Sequence, residues 1–397
     1  MNLRIGILLL LFTLTTASVL GQKESSDIDT ISTNVLQSVF IEDPDHIANE
    51  KSDSTKRFTL NAYPYVFYTP ETQFAGGAGG ILIFYTKKSR LFREVENMEK
   101  LKPSKIGFGG YYSTNKQYKI TIDPKFYFYH NKIFFELPTS YGFFVNKYWG
   151  IGDETMERDS SRYSQQTFTT QFNIQIPPLL FMADRTGLIL AYEDIEIVDK
   201  MGNELLENDS LPGADGARQF GIGTDLVWDT RDNIFFPNSG LYQYFKLMFY
   251  PGISDYVYTS LELDAKGFWS FKPDHVIAVN VYVQSMLGEI PFYNLPSVGG
   301  PKRLRGYFYG RYRDNFYGMM QAEYRQYFWK RLGFVVFAGA GNVSHNILEY
   351  NFSNLKYSYG AGLRFMFNKK EKVNLRMDIG FGNDNNRGIY FGIQEAF

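Results

Sequence analysis

Period-two alternation runs through the chain from Arg57 to its end and limits what it can fold into. Tyr118, Ile120, Ile122, Phe126 and Phe128 share one face of a run in which Gln117, Lys119, Thr121, Asp123 and Lys125 take the other. Phe168, Phe172, Ile174 and Ile176 oppose Gln171, Asn173 and Gln175. Val373, Leu375, Met377, Ile379 and Phe381 oppose Lys372, Asn374, Arg376 and Asp378. A helix repeats every 3.6 residues and does not sustain this pattern; a strand does. Two architectures satisfy it. In a soluble sandwich the polar face meets water outside, whereas in a transmembrane barrel it meets water inside and the apolar face meets lipid.

Composition favours the barrel. Aromatic residues make up 18% of the 397 residues, with 36 Phe and 30 Tyr beside 36 Gly and only 15 Pro. Mean hydropathy is -0.27, which excludes a helical membrane protein but suits strands whose alternate residues face lipid. A net charge of -1 gives no case for nucleic acid or an anionic surface as partner. The absence of cysteine excludes a disulfide scaffold, a thiolate metal site and lipoprotein acylation.

The N-terminus reads as export. Arg4 precedes the apolar run Ile5–Phe12, and Val19-Leu20-Gly21 before Gln22 suits signal-peptidase cleavage, so residues 1–21 are expected to be a signal peptide. Residues 22–56 are polar, acidic and without steady period, as in a periplasmic linker. Residues 57–397 are expected to be the barrel domain, which makes the cell outer membrane the expected location and its lipid a partner.

The alternating runs number about sixteen, an even number as bacterial barrels require. With the first strand starting at the periplasm, the long connections Asn146–Tyr163, Asp199–Ala217, Gly288–Asp314 and His345–Lys356 all fall outside. Short ones at His130–Asn131, Lys272–His275, Lys330–Arg331 and Asn368–Glu371 fall inside. Lys87–Ser104 breaks the rule by being long, with Leu91, Val95 and Met98 at helical spacing. The closing strands are expected at Phe58–Tyr68 and Gly388–Phe397. Pro64 lies inside the first and provides no ladder donor, which implies either a weak seam or a local bulge. Phe397 ends the last strand on the face of Ile393 and Phe391, and Glu395 interrupts that face.

The connection between the eleventh and twelfth runs carries five basic residues between Lys302 and Arg313, spaced by glycines and aromatics. It is either a solvated surface loop or a loop folded back into the barrel with Arg305 as its internal plug. Glu323 lies on the polar face of the next strand.

Several motifs of the chain resemble one family. Leu304-Arg305-Gly306-Tyr307 resembles the VRGF/Y motif of the BamA/TamA-type outer-membrane assembly superfamily (the bacterial surface antigen family), at the place where that family carries it. The turn from Asp229 through Arg231, Asp232 and Pro237 to Gly240 is similar to its D-x-R-D…F-x-P-x-x-G turn. Phe337 to Val343 is similar to its F-V-D-A-G-N-V run, with Gly339 in place of the aspartate. Gln321–Arg325 and Tyr148–Gly152 also fit. The resemblance implies that Arg305 reaches into the lumen and pairs with a strand carboxylate, for which Glu323 is the leading choice. It also implies insertion of outer-membrane proteins or polypeptide translocation, with unfolded outer-membrane proteins as partners. Only residues 22–56 stand where the family places its POTRA domains, which is expected of a barrel-only member.

Chemistry of other kinds finds no support in the sequence. His46, His130, His275 and His345 are scattered, without paired ligand spacing, so no metal or other cofactor is expected. Gly76–Gly80 lacks the Lys-Ser/Thr of a phosphate loop and reads as small residues in a strand. The chain is not expected to be an enzyme. The competing functional readings are a structural or accessory barrel of another envelope complex, or a narrow passive channel.

Overall fold

The computed structural model describes residues 58–69, 72–84, 103–128, 133–156, 161–177, 183–200, 206–207, 211–369 and 372–397. The expected signal peptide, the linker and the Leu91/Val95/Met98 segment lie outside the described residues.

Among the described residues, seventeen antiparallel strands form one sheet. They are β1 (Phe58–Thr69), β2 (Gln73–Phe84), β3 (Ser104–Ser113), β4 (Tyr118–Phe128), β5 (Ile133–Glu136), β6 (Thr139–Tyr148), β7 (Ser161–Ile176), β8 (Arg185–Asp199) and β9 (Gly216–Asp229). There follow β10 (Gly240–Tyr250), β11 (Tyr258–Lys272), β12 (His275–Gly288), β13 (Phe316–Trp329), β14 (Leu332–Ser344), β15 (Lys356–Asn368), β16 (Val373–Gly382) and β17 (Arg387–Ile393). β5 and β6 both pair with β4 and with β7, so they share one position. The break falls at Leu137-Pro138, where proline supplies no ladder donor. Sixteen strand positions remain, and the basic connection lies between the eleventh (β12) and the twelfth (β13).

Burial inverts the order of a soluble protein. On β16 the apolar Met377 is 44% exposed while Asp378 is 0% exposed. On β4 Ile120 and Ile122 are exposed, and on β7 Asn173 and Gln175 are buried. Apolar side chains therefore cover the outside and polar ones line the inside, the arrangement lipid demands of a barrel. Only this inside-outside assignment separates a barrel from a sandwich.

Cα atoms of β1 and β17 come within 8 Å, which brings the first and last strands side by side. Among the described residues β1 shares a backbone ladder with β2 alone and β17 with β16 alone. Pro64 pairs with Ala78 in an unbroken β1–β2 register, so no bulge surrounds it. The last strand differs from expectation. It ends at Ile393 and does not continue to Phe397: the Gln394 N–H still reaches the facing Asn374 carbonyl at 2.7 Å, but Gln394 takes a left-handed conformation (φ +68°) that breaks the extended run. Residues 394–397 then leave the sheet, and Glu395 and Ala396 are buried. Phe397 is thus not a terminal aromatic on an alternating strand.

Candidate functional site

The connection between β12 and β13 turns into the lumen. Val298, Leu304 and Tyr307 are fully buried and pack with Tyr282, Tyr317, Met319 and Val343, all on inward faces of β12–β14. Each arginine of the connection meets a partner. Arg303 lies 3.2 Å from the Tyr282 ring centroid and 3.6 Å from Asp264 of β11. Arg311 donates to the Thr155 hydroxyl at 2.8 Å and to its carbonyl at 2.7 Å. Arg313 donates to the Phe292 carbonyl at 3.0 Å, and its own carbonyl accepts from Gly152 at 2.8 Å. The fourth, Arg305, is 0% exposed. A solvated loop would leave these groups in water.

Arg305 spans two carboxylates. Its Nη2 donates to Glu323 of β13, and its Nη1 donates to Asp378 Oδ2 of β16 at 2.6 Å. The guanidinium lies 3.6 Å from the centre of the Phe337 ring on β14. Around it the charges alternate. Asp378 also accepts from Arg364 of β15 at 2.5 Å and from Arg376 at 2.7 Å, and Glu323 accepts from Arg325 at 2.8 Å. Arg364 bonds Glu395 at 2.7 Å. Fully buried charges persist only when paired and hydrogen-bonded, and the planar, always-charged guanidinium suits shared carboxylates. The result is a lattice that ties the loop to four neighbouring strands.

Backbone geometry fits the loop to that wall. Leu304 takes a left-handed conformation (φ +43°) that a branched side chain rarely accepts. Burial of its side chain and a hydrogen bond from its N–H to Gln321 Oε1 at 3.3 Å hold it there. Gly306 (φ +122°) lets the chain reverse, and a Cβ there would lie 2.6 Å from Phe381. On β16, a Cβ at Gly380 would lie 2.7 Å from the Arg305 carbonyl. That carbonyl accepts from Ser358 Oγ at 2.5 Å, and Gly306 N–H donates to the Tyr390 hydroxyl at 3.0 Å. The Tyr307 hydroxyl donates to the Tyr357 carbonyl at 2.8 Å, and burial pushes its phenol pKa up.

The β9–β10 turn approaches the same wall from the opposite rim. Asp229 and Arg231 form an ion pair at 2.8 Å. Asp232 Oδ1 accepts from Asn238 N–H at 2.8 Å and from Ser239 N–H at 3.1 Å. Gly240 (φ +103°) ends the turn, where a Cβ would lie 2.3 Å from the Thr230 carbonyl, and Pro237 lies within it. These contacts shape the turn. Its apolar residues reach into the lumen: Phe235 packs with Ile81, Ile83 and Val373, and Phe236 meets the Tyr327 ring edge-on with centroids 5.2 Å apart. The tail beyond β17 ends nearby, with Arg325 donating to the Phe397 main-chain oxygen at 2.9 Å and lying over its ring at 5.1 Å.

The structure therefore brings Arg305, Glu323 and Phe397 into one network, through Arg325. It keeps the β9–β10 turn as a neighbour, and Pro64 lies on β1, away from the network. Asp378, Arg364 and Glu395 were not identified as partners from the sequence, although Asp378 and Arg376 share the polar face of their alternating run. Gly339 leaves room for the loop, since a Cβ there would lie 3.0 Å from Leu304 Cδ2. The second carboxylate that Arg305 meets is Asp378 of β16.

The Omp85 superfamily domain matches residues 103–397. Among solved structures, the chain is similar to BamA from Haemophilus ducreyi lacking POTRA domains 1–3, at 15% identity and a TM-score of 0.55, covering 85% of this chain and 69% of that one. It is also similar to CdiB from Acinetobacter baumannii, at 11% identity and a TM-score of 0.53, covering 85% of this chain and 59% of that one. CdiB from Escherichia coli gives the same identity and TM-score, with 62% of that chain covered. This chain thus spans about three-fifths of the CdiB chains. No curated protein matches. At such identities the solved structures speak for the fold.

Proposed function

The chain belongs to the Omp85 superfamily, whose barrels are outer-membrane proteins, and on that footing we propose that it assists the insertion or translocation of polypeptides at the outer membrane, with the β17–β1 seam as the point of client entry. One contrast carries this reading. The wall β13–β16 is tied to the inward loop by buried ion pairs, whereas β1 and β17 lie adjacent with no ladder between them among the described residues. A client strand that pairs with an exposed strand edge gains main-chain hydrogen bonds without first breaking any. The rigid wall localises opening to the seam. The loop and the β9–β10 turn occupy the lumen from its two ends, which opposes a wide-pore reading.

Site-specific photocrosslinking tests the seam. A photoreactive residue at Leu60 on the outward face of β1 is compared with one at Leu247 of β10, also outward and exposed. An unfolded outer-membrane protein added to the reconstituted barrel is expected to crosslink at Leu60 and not at Leu247. Equal capture at both positions, or none at either, contradicts entry at the seam. The accessory-barrel reading then stands, with recovery of other envelope proteins in a stable complex as its own test.

A further inference from the structure

The external connection between β14 and β15 behaves unlike the loop in the lumen. It holds two single turns of 3₁₀ helix, Ile347–Glu349 and Phe352–Asn354. Between them Tyr350 lies on Gly318. Its hydroxyl donates to the Gly318 carbonyl at 2.8 Å, and its ring meets Phe316 edge-on with centroids 5.6 Å apart. Phe316 and Gly318 share the outward face of β13 with Met320, which is exposed, while Tyr317 and Met319 face inward. The connection therefore folds down over the lipid-facing side of the wall.

Phe352 packs edge-on against Tyr350, at 4.9 Å, and is 76% exposed. Ile347 is 66% exposed and Leu348 is 93% exposed. Exposed apolar groups of this size mark an interaction surface. Here the patch continues the lipid-facing wall, where Met320, Tyr357 and Tyr359 are also exposed. Backbone donors of both turns are bonded within the segment. Asn346 Oδ1 accepts from Leu348 N–H at 2.9 Å and from Glu349 N–H at 3.2 Å, and Asn351 Oδ1 accepts from Ser353 N–H at 2.8 Å. Capped backbone groups lower the cost of leaving water.

We propose that the β14–β15 connection is a membrane anchor, in which Ile347, Leu348 and Phe352 enter the outer lipid interface beside β13–β15. It seats in the bilayer the part of the wall that carries the ion network, whatever the barrel transports.

The absence of native cysteine makes a single label specific. Leu348→Cys carrying a bimane fluorophore is reconstituted, as the full barrel, in phosphatidylcholine vesicles containing spin-labelled lipid. Asp215→Cys, on the external β8–β9 connection and exposed, is the aqueous reference. Quenching by the lipid label is expected to be several-fold stronger at position 348 than at 215, with iodide quenching reversed. Equal lipid quenching at the two sites overturns the proposal. So does protection from both quenchers that grows with protein density, which would mean that a second copy covers the patch. Ile347→Cys repeats the measurement, and heat-modifiable mobility confirms that each variant is folded.

Discussion

Arg305 Nη1 and Asp378 Oδ2, 73 residues apart in sequence, meet at 2.6 Å inside the barrel. The bond joins a connection between strands to a strand near the seam. Asp378 answers three arginines, Arg305, Arg364 and Arg376, so one carboxylate holds the loop, β15 and β16 in a fixed relation.

Arg305→Ala removes the cation shared by Glu323 and Asp378. Breaking a buried pair by removing one partner typically costs about 3–5 kcal/mol. Arg325 and the other arginines still compensate the two carboxylates, so a loss near the lower end is expected. Arg305→Lys restores charge but not the two-armed geometry and is expected to recover only part of it. The temperature at which the folded band is lost in heat-modifiable electrophoresis reads both. Wild-type behaviour of Arg305→Ala would refute the structural role of the loop.

Asp378→Asn is expected to destabilise more than Glu323→Gln. The first leaves three arginines facing a neutral amide, the second leaves two, Arg305 and Arg325. Urea unfolding in the same vesicles compares them, and a reversed order would mean that Glu323 is the main anchor.

Gly380→Ala places a methyl group 2.7 Å from the Arg305 carbonyl, where the neighbour is backbone and cannot yield cheaply. The loop is expected to lift and become cleavable by trypsin at Arg303 or Arg305. Gly252→Ala, with nothing within 4 Å, is expected to leave the digestion pattern unchanged. Resistance of Gly380→Ala equal to wild type would contradict the close docking.

Glu395→Ala removes one partner each from Arg364 and Asn374, whose side chains bond the Glu395 carboxylate at 2.7 and 2.8 Å. Faster amide exchange is expected in β17, with β10 and β11 unchanged. An unaltered β17 would mean that the tail does not restrain the seam strand.

Much of this was legible from local pattern. Alternation placed Glu323, Arg325, Arg376 and Asp378 on the polar face, and the same pattern fixed the strand count and the place of the loop. The choice of Asp378 as second anchor was not legible, because it depends on how β13 to β16 register against one another, and register couples residues far apart in sequence. The inward turn at Gln394 escaped for a related reason. Glu395 is the one break in an apolar face that otherwise runs to Phe397, and in the fold Glu395 finds Arg364 and Phe397 finds Arg325, contacts that outweigh one more pair of residues on the strand. Phe235 and Phe236 read as ordinary turn residues, and their burial follows from lumen-facing partners on distant strands, Ile81, Ile83 and Val373 for Phe235 and Tyr327 for Phe236.

Promotion of client folding through the seam is the proposed function of this barrel. Its most direct test is the folding rate of an unfolded outer-membrane protein in vesicles that contain the purified barrel, against empty vesicles and vesicles with the Arg305→Ala barrel. Clear acceleration by the wild-type barrel and a reduced effect from the variant are expected. A rate equal to that of empty vesicles, with the barrel folded, would contradict the proposed function.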